Sequence, residues 1–197
     1  MNPPYKITPD ILRLVASISE KIGQINAKLL DKPPPNLRKK NRIKTIHASL
    51  HIEGNTLTQE QITALIDNKR VIGPEKDVKE VMNAIQVYDQ LHSFNPQSSK
   101  SFLRAHKLLM KGLVVDHGKY RKSGVGIMVG DRIAHMAPPA DNVPHQMNSL
   151  FKYLKTTNEI TLVKSCVFHY EMEFIHPFID GNGRMGRLWQ TLILMKE

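Results

Sequence analysis

The sequence holds a single cysteine, Cys166, among 197 residues, so no internal disulfide can form. It has no apolar run near the roughly 20 residues that a membrane-spanning helix needs. The first ten residues, MNPPYKITPD, lack the apolar segment of a secretory signal peptide. We therefore expect no disulfide scaffold, no membrane partner and a cytoplasmic location in a reducing compartment. On this view Cys166 is inert packing in the core.

Acidic residues and aromatics are also scarce. There are 18 acidic against 28 basic residues, a net charge of +10, and aromatics make up 6% of the chain. The densest basic run, residues 38–44, has no interleaved aromatics that could stack on bases. Solvated helix faces are the favoured interpretation of this charge. A nucleic-acid partner is a less favoured alternative. With 41% apolar residues, the chain is long enough for one globular core.

The most informative stretch is residues 176–187, which reads HPFIDGNGRMGR. Apolar residues recur at helical spacing before and after it, at Leu162, Val163, Cys166, Val167, Tyr170, Phe174, Leu188, Trp189, Leu192 and Ile193. The pattern predicts a helix, a tight loop and a second helix.

A glycine-rich loop that opens a helix is typical of an anion site. The first backbone N–H groups of a helix lack partners, and the helix dipole favours negative charge there. Gly181 and Gly183 let a ligand approach the backbone. Arg184 and Arg187 are three residues apart and could converge on one anion, which suits a polyphosphate. Asp180 fits such a site if Mg²⁺ lies between its carboxylate and the phosphates.

Other nucleotide loops fit less well. No Gly-Lys-Ser/Thr follows the glycines, and the preceding segment reads as a helix, so neither a Walker A loop nor a Rossmann fingerprint is present. A plain glycine turn with both arginines in solvent is the structural alternative. The fixed offsets of histidine, aspartate and two arginines make that interpretation the weaker one.

The stretch HPFIDGNGRMGR resembles the signature of the Fic family, HPFx(D/E)GNGRxxR, and fills every specified position. The resemblance implies an all-α fold, namely a helical bundle with a small β-hairpin flap. It also implies transfer of AMP from ATP to an exposed Tyr, Thr or Ser of a target protein, with Mg²⁺ as cofactor. The implied roles are general base for His176, metal ligand for Asp180, anion cradle for Gly181, Asn182 and Gly183, phosphate clamp for Arg184 and Arg187, and core anchor for Phe178.

One backbone feature can be predicted beside the motif. Because Pro177 follows it, we expect His176 to be extended, which would aim its imidazole at the target hydroxyl. Imidazoles titrate near 6.5, so such a base suits neutral pH.

Helical periodicity covers most of the remaining chain. It predicts helices over about residues 8–30, 37–53, 58–68, 75–94, 102–113 and 143–157. In the first of these Ile11, Leu12, Val15, Ile18 and Ile22 share one side. Lys32 and the three prolines after it predict a stiff linker. We therefore expect an N-terminal helical arm, residues 1–32, packed on a Fic core domain, residues 33–197.

Residues 118–142 interrupt the helical pattern. Two extended runs, 125–129 and 132–136, flank Gly130-Asp131 and predict a β-hairpin. The segment resembles the flap of Fic proteins, which implies that an extended target segment docks there as an added strand. The implied docking residues are Gly126, Ile127, Met128 and Val129. A structural loop that covers the core is the alternative.

A second motif lies in the segment 37–54, at its C-terminal end. Glu53 falls in the last helical turn, where the helix dipole disfavours an acid. Such local conflicts often occur at functional sites. Residues 49–55, SLHIEGN, resemble the Fic inhibitory motif (S/T)xxxE(G/N). The resemblance is to the class II subgroup and implies an inhibitory set of Ser49, Glu53, Gly54 and Asn55, in which Glu53 pairs with Arg187 and blocks the γ-phosphate.

Three functions compete with AMP transfer. The resemblance also allows transfer of phosphate or phosphocholine, and removal of AMP by the same fold. From another class, the chain could be a basic nucleic-acid-binding regulator with a vestigial site, although the complete motif argues against this. The oligomeric state, including a homodimer, stays open.

Overall fold

We describe the protein from a computed structural model, which covers residues 3–28, 34–129 and 132–196. The elements in chain order are α1 (Pro9–Lys28), α2 (Pro35–His51), α3 (Gln59–Ile66), α4 (Glu75–Asp89), α5 (Ser99–Leu109), β1 (Gly126–Val129), β2 (Arg132–Met136), α6 (Val143–Thr156), α7 (Thr161–Ile175) and α8 (Asn182–Met195). Short 3₁₀ helices follow α4 and precede α6. The fold is all-α with one hairpin, as predicted.

The core surrounds α8. Its buried face, Leu188, Trp189, Leu192 and Ile193, is the one that the periodicity predicts. Trp189 is fully buried, packs edge-on against Phe102 of α5, and donates its indole N–H to the Pro96 carbonyl at 2.9 Å. Because the indole N–H has this acceptor, the burial of Trp189 leaves no hydrogen-bond donor unsatisfied. Helices α5, α6 and α7 pack around this centre and hold the loop before α8 in place.

Local capping explains several helix boundaries. Thr58 accepts from the Gln61 amide at 3.2 Å while the Gln61 side chain accepts from the Thr58 amide at 2.9 Å, the predicted capping box of α3. Ser98 caps α5, which therefore begins at Ser99 and not at Phe102. The structure also ends α4 at Asp89 and α5 at Leu109, shorter than predicted.

The predicted hairpin is present. Strands β1 and β2 pair antiparallel from Gly126 opposite Met136 to Val129 opposite Arg132, with an irregularity between Ile127 and Met128. The predicted turn, Gly130-Asp131, lies outside the described residues. Just below the strands the Ala137 amide donates to the Val125 carbonyl at 3.2 Å, which closes the base of the hairpin.

The N-terminal arm lies beside α7, with most of the side chains of α1 exposed. Tyr5 meets Tyr153 of α6, with 3.2 Å between their hydroxyl oxygens. An apolar groove of about 470 Å³ separates α1 from α7 and is lined by residues such as Ile11, Val15, Leu162 and Val167. The predicted linker lies partly outside the described residues, and so does the boundary at residues 32 and 33.

The prediction that Cys166 packs in the core is wrong. On α1, Leu12, Ile18 and Ile22 are exposed although they share one side of the helix. Cys166 is also exposed, because α7 buries the neighbouring face that contains Phe168 and Met172 and turns Cys166 toward the groove. Among the helices described, none is both long and apolar enough to cross a membrane.

Candidate active site

Helix α7 ends at the first residue of the motif. His176 is the C-cap residue and has left-handed backbone angles, φ 50° and ψ 62°. The predicted extended conformation is therefore wrong. The physical reason is helix termination, since a left-handed residue lets the chain turn sharply after the last helical carbonyl. The His176 amide still donates to the Met172 carbonyl at 2.9 Å, and the imidazole is half-buried.

Phe178 anchors the loop, as predicted. Its side chain is fully buried and stacks on the His106 imidazole at a centroid distance of 3.6 Å with nearly parallel planes. The Gly118 amide donates to His106 Nδ1 at 2.8 Å, so Nε2 carries the proton and donates to the Asp180 carbonyl at 3.0 Å. Burial lowers the pKa of His106 to about 4, which keeps this imidazole neutral.

Asn182 closes the loop with its side chain. Its amide nitrogen donates to the Phe178 carbonyl and its amide oxygen accepts from the Phe178 N–H, both at 2.9 Å. Both polar atoms of the Asn182 side chain are therefore used inside the loop. Only the backbone of Asn182, at the first turn of α8, remains for the cradle.

Gly181 begins the segment 181–183 that is predicted to form an anion cradle and is called the cradle below. Gly181 has φ 86°, and a Cβ there would lie 2.7 Å from the sulfur of Met110. The position thus requires glycine for both its backbone angle and its close packing.

Asp180 and Arg184 form an ion pair at the edge of the cradle. Arg184 Nη2 donates to Asp180 Oδ1 at 2.6 Å, and the Asp180 side chain is 46% exposed. Arg184 Nη1 donates to Glu80 Oε1 of α4 at 2.8 Å, and these two side chains are only 4% and 5% exposed. A buried ion pair of this kind needs its remaining hydrogen bonds satisfied. Glu80 Oε2 accepts from the Asn55 side chain at 2.9 Å.

Arg187 contacts the segment that resembles the inhibitory motif. Its Nη2 donates to Glu53 Oε1 at 2.6 Å, while Nε and Nη2 donate to the hydroxyl and the carbonyl of Ser49 at 3.0 and 2.9 Å. The predicted pairing of Arg187 with Glu53 is present, through the hydrogen bond from Nη2. A Cβ on Gly183 would lie 2.6 Å from Glu53 Oε1. The Glu53 carboxylate therefore lies directly against the backbone of the cradle.

The two arginines do not converge here. Arg184 pairs with Glu80 and Asp180, and Arg187 turns to Ser49 and Glu53, so the two guanidinium groups have separate acidic partners.

The backbone around Glu53 differs from the prediction in one respect. Helix α2 ends at His51, so Glu53 lies in the following turn and not in the last helical turn. Gly54 has φ 88°, which explains why glycine ends the turn. Asn55 is buried and spans the gap to α4, where its side chain donates to the Asp77 carbonyl and to Glu80. The segment is thus bonded to two helices of the core.

Sequence reasoning missed three residues of the site, namely Glu80, His106 and Arg121. None lies in a recognisable motif, and their partners are 104, 74 and 55 residues away. For Glu80 and His106 the sequence offered one indication, namely that each is an ionisable residue on the buried side of a predicted helix. The predicted docking residues, Gly126, Ile127, Met128 and Val129, form strand β1, and the base of the hairpin adjoins the motif through Arg121.

This combination of fold and site defines a family. The chain matches the Fic/DOC family over residues 96–194, which is 99 of its 197 residues. A crystal structure of a Fic family protein from Desulfovibrio desulfuricans G20 is 55% identical, with a TM-score of 0.91, over 98% of this chain and 60% of that one. The chain belongs to the Fic/DOC family.

Curated relatives carry an activity in their names. Protein adenylyltransferase Fic from Nematostella vectensis is 29% identical over 95% of this chain and 47% of its own length. A probable protein adenylyltransferase from Aquifex aeolicus is 30% identical over 76% of this chain and 46% of its own length. The chain spans about half the length of these relatives. Fic-1 from Caenorhabditis elegans, 22% identical with a TM-score of 0.74, shares the fold over 94% of this chain and 60% of that one.

Proposed function

We propose that the protein is an adenylyltransferase that moves AMP from ATP to a Tyr, Thr or Ser hydroxyl of a target protein, and that Glu53 inhibits it. One observation carries the proposal. The Glu53 carboxylate sits against Gly183 and is held by Arg187 at 2.6 Å. A carboxylate oxygen at the start of a helix, beside an arginine, occupies the kind of position that a phosphate oxygen would take.

The anion cradle suits the outer phosphates of ATP. Backbone N–H groups at the start of α8 point out of a fixed loop, and Arg187 can form charge-assisted hydrogen bonds with phosphate once Glu53 is displaced. Arg184 acts differently. Held by Glu80, it fixes the Asp180 carboxylate and adds positive charge to the edge of the cradle.

His176 is the proposed general base. It lies at the entrance of the loop, one residue before the segment anchored by Phe178, and its imidazole is partly accessible. In the proposed reaction the target hydroxyl gives its proton to His176 and its oxygen bonds to the α-phosphorus. The bond from that phosphorus to the bridging oxygen breaks, and pyrophosphate leaves.

The residues present fit a magnesium ion. Asp180 offers a half-exposed carboxylate next to the cradle, and Mg²⁺ is usually held by one or two carboxylates together with substrate phosphates. Over the described part of the chain no three acidic, histidine or cysteine side chains gather as a ready metal site. Asp180 would therefore hold the ion only with oxygens of ATP, where the ion would offset phosphate charge. Asp180→Ala should then abolish Mg²⁺-dependent transfer.

Inhibition follows from the same geometry. While Glu53 binds Arg187, this arginine cannot hold the γ-phosphate, and the carboxylate repels phosphate oxygens from the cradle. Displaced phosphates would leave the α-phosphorus poorly placed for in-line attack, and small displacements cost rate heavily.

Labelled ATP tests the proposal. The purified Glu53→Gly variant is incubated with Mg²⁺, a lysate of unmodified proteins, and ATP labelled at the α or the γ position. We expect protein-bound label from the α position only. His176→Ala should remove this label while it keeps ATP affinity within a few-fold, because it removes the base and leaves the cradle intact.

Matched variants make the result specific. Ile52→Gly removes an exposed side chain from the same turn without touching Arg187, and it should label no better than wild type. Arg187→Ala in the Glu53→Gly background should reverse the gain. Label from the γ position would mean a kinase. Absence of protein label from every variant, with the helical circular dichroism intact, would refute the proposed activity.

A further inference from the structure

We infer that Arg121 is a positioning residue that links the base of the hairpin flap, at Ser123 and Pro138, to the backbone of His176. The inference rests on the proposed function, in which His176 is the base, and on the target docking at the flap that the family resemblance implies. Arg121 lies outside the motif, between α5 and β1, and is only 3% exposed. All of its described hydrogen bonds go to backbone carbonyl groups or come from its own amide.

One set of contacts holds the base of the flap. Arg121 Nη1 donates to the Ser123 carbonyl at 2.8 Å, just before β1. Nη2 donates to the Pro138 carbonyl at 2.6 Å, just after β2. The same guanidinium thus binds the chain on both sides of the hairpin, before β1 and after β2. A two-stranded hairpin is only marginally stable by itself, so its orientation depends on such contacts at the base.

A second set of contacts holds the end of α7. Arg121 Nε donates to the His176 carbonyl at 2.8 Å, and Nη2 approaches the Ile175 carbonyl at 3.3 Å. The Arg121 amide donates to the Pro177 carbonyl at 2.9 Å. Carbonyl groups at a helix C-terminus lack intrahelical partners and carry partial negative charge, so a buried guanidinium suits them.

These contacts fall on the strained residue of the site. His176 is left-handed without being glycine, and the proline that follows it adds to the strain. Such conformations persist only where surrounding structure enforces them, and they cluster at active sites. The bond from Arg121 Nε to the His176 carbonyl enforces this one directly, and therefore sets the direction in which the imidazole leaves the backbone.

Lysine cannot replace this arrangement. The guanidinium is a planar fork with five N–H donors, whereas an ammonium group is a compact point charge. Burial lowers the pKa of Arg121, so the charge is retained against a desolvation penalty. Carbonyl dipoles offset that penalty only while the base of the flap and the end of α7 both contact the guanidinium. Movement of one of these segments therefore weakens the hydrogen bonds that Arg121 makes to the other.

Hydrogen exchange tests the coupling without any need for activity. The Arg121→Lys variant of the full chain is compared with wild type and with Arg104→Lys. Arg104 serves as the control, because its described hydrogen bonds go to the Ser93 carbonyl at 3.0 Å and the Ser93 hydroxyl at 2.8 Å, and not to the flap or the motif. We expect exchange about tenfold faster in peptides covering residues 120–126, 136–142 and 174–181. Peptides from α4 should exchange as in wild type.

The outcomes are distinct. Faster exchange in the flap alone, in the 174–181 region alone, or in neither would overturn the coupling. Arg121→Gln, which keeps two donors without the charge, is a second variant in case the lysine side chain disrupts the fold. If both variants lose their helical circular dichroism, Arg121 is a general stability residue and the inference is wrong.

Kinetics in the Glu53→Gly background form the second arm. A positioning role predicts that Arg121→Lys lowers kcat for AMP transfer about 10- to 100-fold, while the KM for ATP stays within about twofold of the parent. A general loss of folded protein would instead lower the active fraction and leave the pH profile of the rate unchanged in shape. Unchanged kcat would overturn the inference. If the parent itself transfers no AMP, the proposed function fails, and hydrogen exchange alone decides the role of Arg121.

Discussion

Removal of the Glu53 carboxylate should strengthen ATP binding directly. Glu53 Oε1 lies 2.6 Å from Arg187 Nη2 and would lie equally close to a Cβ on Gly183. On the proposed function, the γ-phosphate of ATP can bind Arg187 only after this contact breaks. In the Glu53→Gly variant that step disappears, and Arg187 keeps only its bonds to Ser49.

The size of the effect follows from the contact. A hydrogen bond between charged groups contributes about 1.5–3 kcal/mol when shielded from water. The two side chains are 25% and 28% exposed, so solvent screening reduces this to about 1–2 kcal/mol. Since each 1.4 kcal/mol corresponds to a factor of ten, ATP should bind roughly 5- to 30-fold more tightly. The free energy of unfolding should fall by a similar 1–2 kcal/mol, because the same contact stabilises the folded state.

Calorimetric titration with a non-hydrolysable ATP analogue and Mg²⁺ measures the affinity without interference from transfer. Ile52→Gly serves as the control, since it adds the same backbone freedom one residue before Glu53 but leaves Glu53 in place. If Glu53→Gly binds the analogue no more tightly than Ile52→Gly, the carboxylate does not compete with phosphate, and the inhibitory reasoning fails.

Three further predictions concern the supports of the site. Glu80→Gln should cost about 3–5 kcal/mol in urea unfolding, because Arg184 would remain buried with only the half-exposed Asp180 carboxylate as a charged partner; a cost under about 1 kcal/mol would contradict the buried pair. Phe178→Ala should cost about 3–5 kcal/mol, because the side chain is fully buried in a stack with His106, and Phe178→Leu should recover part of the loss. Burial lowers the pKa of His106 to about 4. The unfolded chain, with an ordinary histidine pKa near 6.5, therefore binds more protons between these values, and stability should fall as pH drops from 6.5 toward 4. His106→Gln should flatten this part of the pH–stability curve, whereas His92→Gln, at an exposed position, should not.

The residues of the motif could be found without the structure because their spacing is local. Glycines, a histidine, an aspartate and two arginines at fixed offsets must share one loop and one helix start, and the structure has them there. The capping box of α3 and the two strands of the hairpin were predictable for the same reason, since each depends on neighbours a few residues away. The contact between Glu53 and Arg187 was predicted from the resemblance to the family, and not from spacing.

Long-range packing decided the rest. Periodicity identifies an apolar face but not which part of it meets the core, so Cys166 was wrongly assigned to the core. A residue before proline prefers extended backbone angles. At His176 helix termination and the contact of its carbonyl with Arg121 outweigh this preference. Glu80 and His106 carry no local signal, because an ionisable side chain becomes part of a site only when a distant segment folds against it. Burial and distant partners, which short-range spacing does not encode, turn these residues into supports of the cradle.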